Sequence, residues 1–214
     1  MSVTTPAGFA ATGIAAGIKG GDRPDLAVVS NLGPRFAAAG VFTRNRVFAA
    51  PVDWSRRVVA DGRLRAVVLN SGGANACTGR PGFADARAMA EKTAAGLGVA
   101  AGDVAVCSTG LIGVRLPMPE VTSGIELACS QLSRDGGDDA ATAIMTTDTV
   151  SKQAVHRGEG WSIGGMAKGA GMLAPGLATM LVVLTTDADL EAPALDAALR
   201  EASRVSFDRA DADG

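Results

Sequence analysis

A single threonine, Thr179, stands where a glycine-rich stretch gives way to an apolar run in KGAGMLAPGLATMLVVLTTDA, residues 168–188. If the Ala178–Thr179 peptide bond were cleaved, Thr179 would carry a hydroxyl nucleophile and its own α-amine as the base. A free α-amino group has a pKa of about 7.7–8, so it can accept the hydroxyl proton near neutral pH. The preceding glycines would let the bond distort for attack by the Thr179 hydroxyl on the Ala178 carbonyl, so that the chain cuts itself. Without cleavage, Thr179 is an ordinary β-branched residue at a strand start.

The histidine content bears on the same chemistry. His156 is the only histidine, and its polar surroundings, AVHRGEG, predict a solvated surface turn. A Ser-His-Asp arrangement is therefore disfavoured, and an activated hydroxyl would need another base.

Two glycine-containing loops follow predicted strands, at residues 71–79 (SGGANACTG) and 108–113 (STGLIG). Small residues let the backbone turn tightly and present its N–H groups, so either loop could receive a developing oxyanion. Taken alone, each is more often a plain turn.

Residues 169–174, GAGMLA, match the GxGxxA form of a dinucleotide-binding fingerprint, and Asp189 follows at a plausible distance for a ribose-binding acid. The fingerprint must open a helix, however, and Pro175 with Gly176 falls where that helix should continue. We therefore reject a nucleotide site here.

The elements that must position these residues alternate along the chain. Short β-branched runs bounded by Gly, Pro or Asp predict strands at residues 25–30, 40–44, 65–70, 103–108 and 179–186. Apolar residues at helical spacing predict helices at residues 83–97, 121–132 and after Pro193. Because predicted strands also neighbour one another near the N-terminus, we expect an α/β sandwich with a mixed sheet and not a doubly wound one.

Composition excludes several other classes of protein. The 214 residues are 47% hydrophobic, which is ample for a packed core, and the net charge of -2 leaves no basic face for nucleic acid. Cys77, Cys107 and Cys129 form no CxxC pair, which fits a reducing cytoplasm and offers no zinc site. The alanine- and glycine-rich N-terminus lacks a basic leader, so we expect neither a signal peptide nor a membrane span.

Long motifs of this chain resemble the ornithine acetyltransferase family, the bifunctional glutamate N-acetyltransferases of arginine biosynthesis. The resemblance runs from PAGFAATGIAAGIK and FTRN through LNSGGANACTG, CSTGLIG with RLPM, and AIMTTD to MAKGAGMLAPGLATMLVVLTTDA and SFDR. It covers nearly the whole chain and implies the sandwich fold of self-processing ornithine acetyltransferases and N-terminal-nucleophile aminopeptidases.

The resemblance also implies processing and assembly. The family's precursor cleaves itself between the residues that match Ala178 and Thr179, so residues 1–178 would form the α-chain and residues 179–214 the start of the β-chain. The two chains would stay together as paired heterodimers. The family's chain continues beyond the last residue of this sequence, and the C-terminal Asp-Gly normally turns one strand into another. We therefore expect a truncated product or a fragment.

Site roles are implied residue by residue. Thr179 matches the nucleophile that takes the acetyl group from N-acetylornithine and passes it to glutamate. Thr109, through its hydroxyl, and Gly110, through its N–H, match the oxyanion donors. Thr146 and Lys168, with Thr179 itself, match substrate-binding positions, and a lysine suits the substrate's α-carboxylate. No metal or organic cofactor is implied.

Asn75 and Asp148 lie in matching motifs without an assigned role. Whether acetyl-CoA also serves as donor stays open. Two alternatives also stay open, namely a self-processing aminopeptidase that hydrolyses peptides and a non-catalytic remnant that neither cleaves nor turns over.

Overall fold

The computed structural model of the protein describes residues 2–169 and 179–210, which form two β-sheets and their covering helices. The strands are β1 Phe9–Ile14, β2 Leu26–Asn31, β3 Ala66–Gly73, β4 Val104–Leu111, β5 Lys152–Arg157, β6 Ser162–Ala167 and β7 Val182–Thr186. The helices are α1 Ala50–Val58, α2 Gly79–Leu97, α3 Met118–Ser130, α4 Gly137–Ala143 and α5 Ala192–Val205. Short 3-10 turns lie at Val59–Asp61, Ala101–Asp103 and Phe207–Arg209.

The first sheet has the order β1-β2-β3-β4 and is mixed. β1, β2 and β3 pair antiparallel, whereas β3 and β4 are parallel and are joined by the crossover helix α2. The second sheet, β5-β6-β7, is antiparallel throughout. The predicted α/β sandwich with a mixed sheet is confirmed.

Strand β2 is central, and its apolar residues are buried on both faces of the first sheet. Leu26 and Val28 point to one face, against α2 and α3. Ala27 and Val29 point to the other, against α4 and the second sheet. Successive side chains of a strand alternate between faces, so a continuous apolar run is what a strand covered on both sides requires.

Helix ends follow from local sequence. Pro51, Pro119 and Pro193 lie in the first turns of α1, α3 and α5, where a missing backbone N–H costs nothing. Gly98 ends α2 with a φ of 66°, a left-handed conformation that glycine adopts without strain. The predicted helices at 83–97, 121–132 and after Pro193 are thus confirmed as α2, α3 and α5.

Four of the five predicted strands are confirmed as β2, β3, β4 and β7, but the strand predicted at residues 40–44 is wrong. That segment is a loop held by Arg56, whose guanidinium donates to the carbonyl of Thr43 and lies over the ring of Phe42. The guanidinium on α1 thus satisfies the carbonyl of Thr43, which needs no donor from a neighbouring strand.

The sequence patterns missed β1, β5 and β6 because these strands are rich in small or polar residues. One consequence concerns His156, which lies in β5 and not in a turn. Its exposure to solvent is as predicted, and its ring lies 5.6 Å from that of Trp161. Within the described residues, no helix combines the length and apolar character needed to cross a membrane.

Candidate active site

Lys168 directly follows β6, and its side chain joins the two sheets. In β6 the side chain of Met166 is buried in the core, and Lys168, two residues later, faces the same way. Only 3% of Lys168 is exposed, and its Nζ donates a hydrogen bond to Thr109 Oγ1 at 3.1 Å. An ammonium has no lone pair, so the Thr109 hydrogen must point away from Lys168, toward another acceptor.

The backbone places Thr179 at the same end of the second sheet as Lys168. The N–H of Lys168 donates to the carbonyl of Leu181 at 3.0 Å, which extends the β6–β7 ladder beyond its last pair, Ala167 and Val182. Thr179 is two residues from Leu181 and is exposed. At a rise of about 3.3 Å per residue its Cα lies within ~7 Å of that of Leu181. Ala178 and most of the GAGMLA segment lie outside the described residues.

Thr109 and Gly110 occupy the end of β4 and not a separate loop. Thr109 is 1% exposed, whereas Gly110 is exposed at the surface. Gly110 pairs with Gly72 of β3, where the parallel register shifts at the Gly72–Gly73 step. Both glycines have positive φ, 130° at Gly110 and 111° at Gly72, so the shift in register uses a backbone conformation that other residues rarely adopt.

Buried amide and hydroxyl groups support this bulge. Ser108 Oγ donates to Asn70 Oδ1 at 2.6 Å, and Asn70 Nδ2 donates to the carbonyl of Gly73 at 2.9 Å. Asn70 is fully buried and Ser108 nearly so. Their hydrogen bonds link the ends of β3 and β4 and hold Thr109 and Gly110 in place.

Replacement of Gly110 by alanine is expected to lower the free energy of unfolding of this chain by about 2 kcal/mol or more. A Cβ at Gly110 would lie 2.3 Å from the carbonyl carbon of Gly72, in backbone that cannot move aside without breaking the bulge. Denaturant unfolding measures the change. Gly102→Ala is the matched control, since a Cβ there meets nothing within 4 Å; an equal loss in both variants would contradict the prediction.

Thr146 follows α4 and is tied to Lys168 through the carboxylate of Asp148. The N–H of Thr146 donates to Asp148 Oδ2 at 3.1 Å, and the N–H of Gly169 donates to Asp148 Oδ1 at 2.6 Å. Lys152 Nζ adds a third bond to Oδ1 at 2.5 Å. Burial tends to raise the pKa of Asp148, but these bonds outweigh it and hold the pKa at about 2, so the carboxylate is charged.

Lys19, in the connection between β1 and β2, is a second, partly buried cation near the site. It ends the motif PAGFAATGIAAGIK, but no role was predicted for it. Its Nζ donates to the carbonyls of Pro24, at 3.1 Å, and of Met145, the residue before Thr146, at 2.6 Å. Burial lowers the pKa of Lys19 below its ordinary value, while the charge of Asp25 raises it. Pro24 is near Lys19 in the sequence, but Met145 is 126 residues away, so the second contact could not be predicted from a local motif.

Asn75 has a structural role. Its side chain accepts from Thr78 Oγ1 at 2.7 Å and donates to the carbonyl of Gly82 at 2.8 Å, which holds the first turn of α2. Asn75 itself has a positive φ of 48°, a conformation that asparagine tolerates. The matching motif around Asn75 is thus explained by the turn into α2.

Among the described residues, the fold therefore brings Thr109 and Lys168 into contact. Asp148 links Thr146 to Gly169, the residue after Lys168, and Thr179 lies three residues before β7 at the same end of the second sheet. One buried cation, a second that is partly buried, a hydroxyl donor and a strand-end bulge suit a small anionic substrate whose carbonyl gains negative charge. The sequence matches the ArgJ family over residues 10–214. The chain belongs to the ArgJ family.

Curated relatives in the ArgJ family are much longer than this chain. The "Arginine biosynthesis bifunctional protein ArgJ" of Streptomyces coelicolor is 66% identical over all 214 residues, which cover 56% of that protein. The protein of the same name from Thermobifida fusca is 64% identical with the same coverage. This chain thus spans a little over half the length of these relatives.

Two solved structures share the fold. The ornithine acetyltransferase of Mycobacterium tuberculosis, complexed with ornithine, superposes with a TM-score of 0.80 at 56% identity, over 84% of this chain and 96% of that chain. The arginine biosynthesis bifunctional protein argJ of Bacillus halodurans has a TM-score of 0.67 at 34% identity, over 87% of this chain and 88% of that chain. ArgJ proteins therefore share the sandwich described above.

Proposed function

We propose that this chain carries the nucleophile and the oxyanion site of an enzyme that transfers the acetyl group of N-acetyl-L-ornithine to L-glutamate. The observation that carries the proposal is the hydrogen bond from Lys168 to Thr109, which joins the expected substrate anchor to the expected oxyanion donor beside the start of β7. The bifunctional arginine-biosynthesis relatives and the ornithine-bound relative support it.

The first step of the proposal is self-cleavage between Ala178 and Thr179. The Thr179 hydroxyl attacks the Ala178 carbonyl, and when the peptide C–N bond breaks the α-amine of Thr179 is freed, takes the hydroxyl proton and leaves Ala178 bound as an ester. Water then hydrolyses that ester, which restores the Thr179 hydroxyl and leaves a carboxylate on Ala178. The lengths of the relatives support this step. This chain covers 96% and 88% of two solved chains but only 56% of a curated relative, as expected if a long precursor yields two shorter chains. In this proposal, cleavage divides the chain into residues 1–178 and residues 179–214.

In the proposed transfer, the Thr179 α-amine takes the hydroxyl proton as Oγ attacks the acetyl carbon of N-acetylornithine. The tetrahedral oxyanion receives hydrogen bonds from the Thr109 hydroxyl and the Gly110 N–H. When the C–N bond breaks, the proton leaves with the ornithine amine and the acetyl group stays on Thr179 as an ester. The glutamate amine then attacks the ester, the hydroxyl is restored, and N-acetylglutamate departs. Both halves of the cycle use the same donors, and no cofactor takes part.

Lys168 has a second task in this scheme. Its ammonium has three N–H donors, of which one bonds Thr109. The remaining donors serve the α-carboxylate that N-acetylornithine and glutamate share, with Thr146 beside it. One cation thus fixes the distance between the substrate's carboxylate and the oxyanion donor.

Acetyl transfer is best tested in a chimera in which this chain replaces the matched region of the Streptomyces coelicolor relative, to which it is 66% identical. We expect the chimera to form N-acetylglutamate from N-acetylornithine and glutamate, detected by mass spectrometry, with acetyl-CoA assayed in parallel as donor. Intact mass and light scattering report whether cleaved chains remain paired as heterodimers.

Two outcomes would contradict the proposal. Hydrolysis of peptides without formation of N-acetylglutamate would identify a self-processing aminopeptidase. A single uncut, inactive species would identify a non-catalytic remnant.

A further inference from the structure

The carboxylate of Asp148 contacts both of the substrate-binding segments proposed above. Oδ2 accepts from the N–H of Thr146, and Oδ1 accepts from the N–H of Gly169, the residue after Lys168. The side chain of Asp148 is 2% exposed, so water does not compete for these bonds. Thr146 follows helix α4, whereas Gly169 follows strand β6, and 21 residues separate Asp148 from Gly169.

The contact between Asp148 and Gly169 leaves no spare room. A Cβ at position 169 would lie 2.9 Å from Asp148 Oδ1, closer than real Cβ contacts come. The glycine therefore lets the carboxylate sit directly against the backbone that carries Lys168. Lys152 Nζ bonds the same oxygen, and its side chain is about half exposed. Oδ1 thus accepts from both the backbone of Gly169 and the side chain of Lys152.

We propose that Asp148 is a positioning residue that sets the spacing between Thr146 and Lys168 and so defines the width of the carboxylate-binding site. It touches neither the substrate nor the reacting atoms. The expected effect of Asp148 on catalysis rests on the proposed function. The link that Asp148 makes between Thr146 and Gly169 rests only on its hydrogen bonds.

The charge of Asp148 also acts on the pKa of Lys168. Three charged groups face Lys168 from the surrounding elements, namely Asp148, Lys152 and Lys19. Burial lowers the pKa of Lys168 below its ordinary value, the charge of Asp148 raises it, and the charge of Lys152 lowers it further. As pH rises through the pKa of Lys168, the ammonium is lost and the anchor with it. In a plot of transfer rate against pH, the fall at high pH (the alkaline limb) should therefore reflect loss of the Lys168 proton. The fall at low pH (the acid limb) should reflect protonation of the Thr179 α-amine, near pH ~7.7–8.

The test is Asp148→Asn in the chimera, with Lys152→Gln beside it. The introduced amide would present one oxygen and one NH2 group where two backbone N–H groups now donate, so one of them loses its acceptor. We expect the dissociation constant of L-ornithine, measured by calorimetry, to rise about tenfold, and the alkaline limb of transfer to move to lower pH. Lys152→Gln removes a charge that lowers the pKa of Lys168, so its alkaline limb should move to higher pH.

Asp187→Asn is the matched control. Asp187 likewise accepts two backbone N–H bonds, from Ala7 at 2.9 Å and from Ser162 at 2.5 Å, but at the opposite end of the second sheet. We expect this variant to leave the alkaline limb and ornithine affinity unchanged, so a general loss of stability is separated from a loss of positioning. Equal shifts in Asp148→Asn and Asp187→Asn would overturn the inference.

Two readouts on this chain do not depend on activity. In Asp148→Asn, hydrogen exchange of the Thr146 or the Gly169 amide should accelerate by about tenfold or more, and NMR titration of ε-labelled lysine should place the pKa of Lys168 lower than in the parent chain. If the parent chimera fails to transfer acetyl groups while these shifts occur, the proposed function fails and the linkage stands. If the parent chimera transfers acetyl groups and neither amide exchanges faster in Asp148→Asn, the positioning role is wrong and the proposed function is unaffected.

Discussion

Thr179→Ala is expected to leave a single uncut chain and no acetyl transfer in the chimera. Alanine has no hydroxyl to attack the Ala178 carbonyl, so the α-amine that serves as base is never released, and no acetyl ester can form. Loss of the nucleophile in a comparable enzyme lowers the rate by about 10⁶-fold. Intact mass spectrometry measures cleavage, and formation of N-acetylglutamate measures transfer.

Thr179→Ser is the control for this result, because serine keeps the hydroxyl and removes only a methyl group. We expect the serine variant to be cut and to transfer acetyl groups, with rates that differ from the parent by far less than those of the alanine variant. Cleavage of Thr179→Ala at the same bond would show that another residue attacks. Such a result would remove the N-terminal threonine from the mechanism.

Thr109→Ala is expected to slow both self-cleavage and acetyl transfer by about 10²–10³-fold, which corresponds to ~2.7–4 kcal/mol of transition-state stabilisation. Both reactions pass through a tetrahedral oxyanion, and Lys168 holds the Thr109 oxygen so that its hydrogen faces elsewhere. The rate constants come from a time course of intact mass and from single-turnover formation of the acetylated chain.

The Thr109→Ser variant retains the hydroxyl and should keep most of both rates. If Thr109→Ala slowed transfer but left cleavage unchanged, the two oxyanions would use different donors, and the shared site proposed above would be wrong. Unchanged rates for both reactions would exclude Thr109 altogether.

Much of the core was predictable because it rests on local patterns. The runs DLAVVS, RAVVLN and DVAVCS became β2, β3 and β4, since β-branched residues buried on both faces have few other solutions. The alanine-rich segment after residue 79 became α2, which closes a parallel pair. Strands β5 and β6 were not predicted because KQAVHR and SIGGMA carry polar residues and glycines. They are strands because β5 pairs with β6 and β6 pairs with β7.

Some residues of the site were predictable from the sequence, and others were not. The motifs indicated Thr109, Gly110, Thr146, Lys168 and Thr179 as candidates one at a time, and their roles remain proposals. Asp148 lies in AIMTTD and Lys19 in PAGFAATGIAAGIK, but no role was predicted for either residue. Both act through contacts with distant residues, for instance Lys19 with the carbonyl of Met145, 126 residues away.

The sequence by itself determined the ArgJ family and the mixed-sheet sandwich. It also indicated Thr179 as the residue whose own α-amine could serve as the base in a chain with one histidine. Those properties depend on residues that are neighbours in the chain. Only the tertiary structure decided that Lys168 bonds Thr109 across 59 residues and that Asp148 joins Thr146 to Gly169. Such contacts depend on how two sheets pack, and hydrogen-bond geometry within a few tenths of an ångström is a property of that packing and not of any local motif.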